Sequence, residues 1–149
     1  VFTHQCYFEH GALTRGFDDT FLVPHSRYGH VDVNKINACN ELVVLAGSEK
    51  VGAYLVKNKS GSQVFITGHP EYDADSLKAE YQRDCEKSDN APKPENYFPD
   101  DDATKQPSKT WQSHAFLLFS NWLNYYVYQT TPYDINLVSQ DVRTNNYAE

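Results

Sequence analysis

The run Val64-Phe65-Ile66-Thr67-Gly68-His69-Pro70-Glu71-Tyr72-Asp73 constrains this chain more than any other stretch. Four apolar or β-branched residues lead to a glycine, and His69 and Glu71 follow, two apart, with Pro70 between them. In extended backbone, residues i and i+2 point to the same face, so the carboxylate can stand beside the imidazole. A carboxylate there fixes the tautomer of the ring and stabilises the imidazolium formed when it takes a proton. The arrangement then needs a nucleophile to deprotonate. Two residues at this spacing also meet by chance in many proteins. The pair gains weight from its place at the end of a strand with buried character.

With 149 residues and 40% hydrophobic content, the chain has the size of one globular domain. No apolar run approaches the ~18 residues of a membrane span, and no segment resembles a signal peptide. A formal charge of −7 without a Lys/Arg cluster argues against a nucleic-acid partner. Cys6, Cys39 and Cys85 are an odd number, widely spaced, with no CxxC pair. That usage suits reduced thiols in a cytoplasmic protein rather than a disulfide framework. The chain opens on Val1 and holds no methionine, so it is expected either to be a fragment or to lack its start.

Val1 to Phe8 is β-branched and aromatic, which predicts a strand. Ala12 to Phe17 predicts a short helical turn closed by Gly16, and Thr20 to Val23 a strand running into Pro24-His25-Ser26-Arg27-Tyr28. Loops at strand ends often carry sites, although a turn of this composition more commonly supports only its own backbone. Val31 to Cys39 predicts a short helix or turn, and Leu42 to Ala46 a strand ended by Gly47-Ser48. Ala53–Val56 and Val64–Thr67 flank Lys57 to Ser62, which has hairpin-loop composition.

Beyond Glu71 the pattern turns helical. Leu77, Tyr81 and Cys85 step by four through Ser76–Glu86, with Asp73 or Asp75 as cap and Arg83 near the far end. A lone arginine there ordinarily faces solvent or offsets the helix dipole. Residues 88–108 hold four prolines and the run Asp100-Asp101-Asp102, predicting a long loop pinned by Tyr97-Phe98. The acidic run is expected to be solvated rather than a metal site. From Trp111 to Tyr128 the chain predicts its longest helix, with Phe116, Phe119, Leu123 and Tyr126 on the core face, stopped by Pro132. Residues 136–149 read as a polar tail. These features by themselves give a soluble α/β domain with a His/Glu pair.

Four blocks carry more. Leu13 to Asp19, Pro24 to Tyr28, Thr67 to Asp73 and Asn121 to Gln129 resemble, in order, the homoserine O-acyltransferases of the methionine pathway, and more narrowly the homoserine O-succinyltransferases. The resemblance implies that residues 1–135 are the C-terminal part of a class I glutamine amidotransferase-like α/β fold. In that fold a cysteine on a sharp strand-to-helix turn joins a His-x-Glu pair. By this likeness His69 is the general base, Glu71 orients it, Ser26 binds substrate, and Arg83 grips the amino-acid carboxylate. A guanidinium fork suits that last task. The implied reaction moves a succinyl group from succinyl-CoA to the hydroxyl of L-homoserine through a cysteine thioester, with no metal or bound organic cofactor. A homodimer is implied as well.

None of the three cysteines sits in the family's nucleophile motif, so the nucleophile is expected in an upstream half, and this chain alone is expected to be inactive. The residue that selects the acyl group is expected there too. Other readings remain: a homoserine O-acetyltransferase, a glutamine amidotransferase, or a non-catalytic fragment that only binds substrate. A metal site from His4, His10, His25, His30 and His69 is a further alternative, although no HxH or HxxxH spacing supports it.

Overall fold

A computed structural model describes residues 1–7, 11–29 and 31–129. It contains one five-stranded, wholly antiparallel sheet in the order β2-β1-β3-β4-β5, with helices packed against it. The strands are β1 (Phe2–Cys6), β2 (Thr20–Val23), β3 (Leu42–Ser48), β4 (Gly52–Asn58) and β5 (Val64–Ile66). The helices are α1 (Val33–Ala38), α2 (Ser76–Lys87) and α3 (Gln112–Trp122), the last continuing into a π-helical stretch, Leu123–Tyr128. Pro132 and the tail over 136–149 lie outside the described residues.

Registers follow from the apolar faces. His4 of β1 lies opposite Phe21 of β2, and Val56 of β4 opposite Phe65 of β5. β3 does not stop at Gly47-Ser48 as expected; it continues through both and pairs with β4 as far as Ser48 and Gly52. Gly52 closes that connection at a φ of 78°, a left-handed conformation open to a residue without a Cβ. The expected β4–β5 hairpin is present, with Asn58 and Gln63 hydrogen-bonded across its base. Gly16 ends the predicted turn after Ala12 at a φ of 81°.

One core lies beneath the sheet, where Leu13, Phe21, Val23, Leu45, Tyr54, Leu55 and Leu118 meet. A second joins Val1, Leu77, Tyr97, Phe98 and Trp111, so Tyr97-Phe98 do pin the long loop. Burying a side chain of this size stabilises the fold by about 1.5–3 kcal/mol. A third cluster, Val44, Ala53 and Val56, packs under Val33 and Ile36 of α1. Asp32 caps α1, its carboxylate accepting from Asn34 N at 2.9 Å.

Two expectations need correction. The Asp75 side chain makes no cap bond to α2; instead Ser76 Oγ accepts from Asp73 N at 3.0 Å. The face of α3 that turns inward is also not the expected one. Ala115, Leu118 and Asn121 are buried, whereas Phe116 is 71% exposed and Phe119, Trp122 and Leu123 also face outward. The buried amide of Asn121 explains the rotation. Its Nδ2 donates to the carbonyls of Leu13 (3.1 Å) and Arg15 (2.8 Å), tying α3 to the turn before β2. A polar side chain sits inward because two buried carbonyls require a donor.

Candidate active site

β5 delivers His69. Beyond Ile66, Thr67 N donates to Tyr54 O at 2.9 Å and Thr67 Oγ1 to Ala53 O at 2.6 Å, holding the chain on β4 for one more residue. Gly68 then passes so close to the end of β2 that a Cβ would stand 2.6 Å from Val23 Cγ1 and 3.1 Å from Pro24 O. That approach lets His69 N donate to Pro24 O at 2.9 Å, bringing the two predicted loops together.

The predicted pair forms. His69 Nδ1 lies 2.8 Å from Glu71 Oε1, and Nε2 lies 3.2 Å from the main-chain oxygen of Ser26. Both ring nitrogens therefore face oxygens that can only accept. A neutral imidazole can donate to one of them, and an imidazolium to both. The ring also stacks on Tyr72, with centroids 4.3 Å apart and planes at 18°.

Ser26 is thus brought to His69 through its carbonyl. Arg83 stands apart. It is on the exposed side of α2, where Nε donates to Asp84 Oδ1 at 3.0 Å. Its guanidinium is held further toward the charged form, first by that bond and then by the Asp84 charge, with smaller contributions from Glu80 and Tyr28. Arg83 makes no hydrogen bond to His69 or Ser26, while Glu80 and the fully exposed Tyr28 each lie within electrostatic reach of it.

Around this site lie contacts that sequence reasoning does not foresee, although His4 and His25 figure in the alternative metal cluster. Arg27 staples the Pro24–Tyr28 loop to its surroundings, donating to the carbonyls of Val51 and Thr67. Beneath the loop, His4 and His25 approach Nε2 to Nε2 at 3.0 Å. Burial lowers both below the usual imidazole range, to about 4 for His4 and about 3 for His25. Tyr72 donates to Glu80 Oε1 at 2.6 Å. Nothing in residue spacing could connect Tyr72 with Glu80 or His4 with His25, because both contacts depend on tertiary packing. Among the described residues no group of three or more His, Cys, Asp or Glu side chains is placed to hold a metal ion. His10 and His30 lie outside the described residues. No described helix is long and apolar enough to cross a membrane.

The comparison with known proteins decides the family. The family described as Homoserine O-succinyltransferase matches residues 1–133. The chain belongs to the homoserine O-succinyltransferase family. A homoserine O-succinyltransferase of Pseudoalteromonas atlantica is 53% identical over 139 residues, covering 93% of this chain and 45% of the relative. A homoserine O-acetyltransferase of Petrotoga mobilis is 52% identical over 142 residues, covering 95% and 46%. Another, from a Geobacillus species, is 54% identical over 134 residues, covering 90% and 44%. The chain thus spans a little under half the length of the curated relatives it matches.

Within this homoserine O-succinyltransferase family chain, no cysteine has the surroundings of an activated nucleophile. Cys6 is half-buried in β1, and burial pushes its thiol up, opposite to the shift a reactive thiolate needs. Cys39 is exposed at the end of α1, and Cys85 is exposed on α2 beside Tyr81.

Proposed function

We propose that this chain supplies the base half of an acyltransferase that moves a succinyl group from succinyl-CoA to the hydroxyl of L-homoserine, giving O-succinyl-L-homoserine in methionine biosynthesis. The nucleophilic cysteine belongs to an upstream half of the same enzyme. The observation that carries this reading is the His69–Glu71 contact at 2.8 Å in a chain of this family, with Nε2 directed at a second acceptor.

His69 takes the thiol proton, and the thiolate attacks the thioester carbonyl of succinyl-CoA. The tetrahedral adduct collapses, the bond to CoA sulfur breaks, and the imidazolium returns its proton to the departing CoA thiolate. The acyl group now sits on cysteine. His69 next takes the proton of the homoserine hydroxyl as its oxygen attacks this second thioester; the bond to cysteine sulfur breaks, and the departing thiolate takes that proton back from the imidazolium. Covalent catalysis divides one hard exchange into two easier ones. Glu71 holds the ring and offsets its charge at each proton transfer. Ser26 and Arg83 hold homoserine, Arg83 through the carboxylate. No step calls for a metal or a bound organic cofactor, because side chains carry every proton and the acyl group.

Among the described strands, β5 pairs only with β4, and the apolar groove beside it is lined by Val64, Phe65, Ile66, Leu118, Phe119 and Trp122. We place the cysteine-bearing half against this edge, completing a glutamine amidotransferase-like fold in a cytoplasmic homodimer. A second reading has a specific observation in its favour. Relatives named acetyltransferase and succinyltransferase are equally similar to this chain, so acetyl-CoA is the alternative donor.

The test is to mix the whole enzyme with succinyl-CoA or acetyl-CoA, without homoserine, and follow CoA release and intact mass. One equivalent of CoA and one succinyl adduct, discharged when homoserine is added, is the expected result. An acetyl adduct alone would assign the other donor. No adduct with either would remove the acyltransferase reading.

A further inference from the structure

We propose that Tyr72 is a positioning residue for His69, tied through Glu80 to the helix that carries Arg83. This rests on the reading of His69 as general base. The contact with Glu71 fixes where Nδ1 sits, but a single hydrogen bond leaves the ring free to tilt about its axis. The face of Tyr72, 4.3 Å away and 18° from parallel, removes that freedom and so sets where Nε2 points.

Tyr72 is itself held at the other end. Its hydroxyl donates to Glu80 Oε1 at 2.6 Å. Burial first, then the bond to Glu80, push the phenol up to about 12, so it remains a donor wherever the enzyme works. Glu80 lies three residues before Arg83 on α2, one turn away on the same side. The start of α2 is in turn fixed to the second core: Lys78 N donates to Tyr97 Oη at 3.1 Å, and that hydroxyl donates to Ala74 O. His69, read as the base, and the helix that carries Arg83 thus share one support, Tyr72 with its bond to Glu80. The main chain at Tyr72 does not depend on this side chain, because its carbonyl accepts from Trp111 Nε1 at 2.9 Å.

The experiment compares the whole enzyme as wild type, Tyr72→Phe, Tyr72→Leu, Glu80→Ala and Tyr72→Phe/Glu80→Ala, with His69→Gln as reference. Tyr72→Leu removes the stacked face and is expected to lower kcat by roughly 10–100-fold, the scale of a small misplacement of a reacting group. It should also move the acidic limb of the pH–rate profile, which a merely structural change would not. Tyr72→Phe keeps the ring and should restore most of kcat, while raising the KM for homoserine because α2 is untied. Glu80→Ala should raise that KM by a similar factor, and the double variant should lose no more than either single one.

Wild-type kcat and an unmoved pH limb in Tyr72→Leu, with His69→Gln inactive, would overturn this inference alone. Additive KM effects in the double variant would overturn the link to α2. Full activity in His69→Gln would overturn the reading of the base, and this inference with it.

Discussion

His4 and His25 meet Nε2 to Nε2 at 3.0 Å, and the proton between them can be assigned. His4 Nδ1 donates to Phe2 O at 2.9 Å, so in the neutral ring its Nε2 must accept. His25 then donates from Nε2, and its Nδ1 is left buried without a partner. With His25 in that tautomer, a proton added to His4 turns both facing nitrogens into donors and sets a cation near Arg27.

Acid should therefore loosen the loop that holds Ser26. Both imidazoles titrate lower folded than unfolded, at about 4 and about 3 against an ordinary value of 6.5. The unfolded chain binds more protons in between, so stability is full above pH ~6.5 and declines as pH falls toward those values. Denaturant melts across pH 7 to 4 should record this decline, and His4→Asn should flatten it. An equal slope in wild type and variant would show that the dyad is not its source.

Gly68 marks the closest approach of the two loops. A methyl there would meet Val23 Cγ1 at 2.6 Å and both Pro24 O and His25 Nε2 at 3.1 Å. Gly68→Ala should destabilise the fold by about 1–3 kcal/mol through overpacking. It should also weaken activity beyond that, because the His69 N to Pro24 O bond must lengthen. A melt unchanged from wild type would mean that the loops have room to part.

The inward face of α3 makes a sharp contrast. Leu118→Ala removes a fully buried side chain and should cost about 2–5 kcal/mol. Phe116→Ser alters a side chain that is 71% exposed and should change the stability of this chain by less than about 0.5 kcal/mol. Comparable losses at both positions in a denaturant titration would mean that the helix is rotated from the face described.

The sequence reading went furthest where a local rule governs. A β-branched and aromatic run placed β1, a short run ended by Pro24 placed β2, hairpin-loop composition between two apolar runs placed β4 and β5, and the i, i+2 rule brought Glu71 to His69. It went wrong where tertiary demand overrides pattern. Phe116 and Phe119 form the more apolar stripe of α3, yet Asn121 turns inward because Leu13 O and Arg15 O need a donor. The wholly antiparallel sheet and the extension of β3 through Gly47 and Ser48 depend on pairing partners that no local window contains. Arg83 was assigned by resemblance to the family, and its geometry alone shows only a bond to Asp84.

The most direct measurement is the pre-steady-state rate of acyl transfer in the whole enzyme carrying His69→Gln, with Glu71→Ala beside it. General-base catalysis of this kind is worth about 10²–10⁴-fold. The account predicts a loss in that range for His69→Gln with the homoserine KM little changed, and a smaller loss for Glu71→Ala. A His69→Gln enzyme that kept more than about a tenth of the wild-type rate would contradict it.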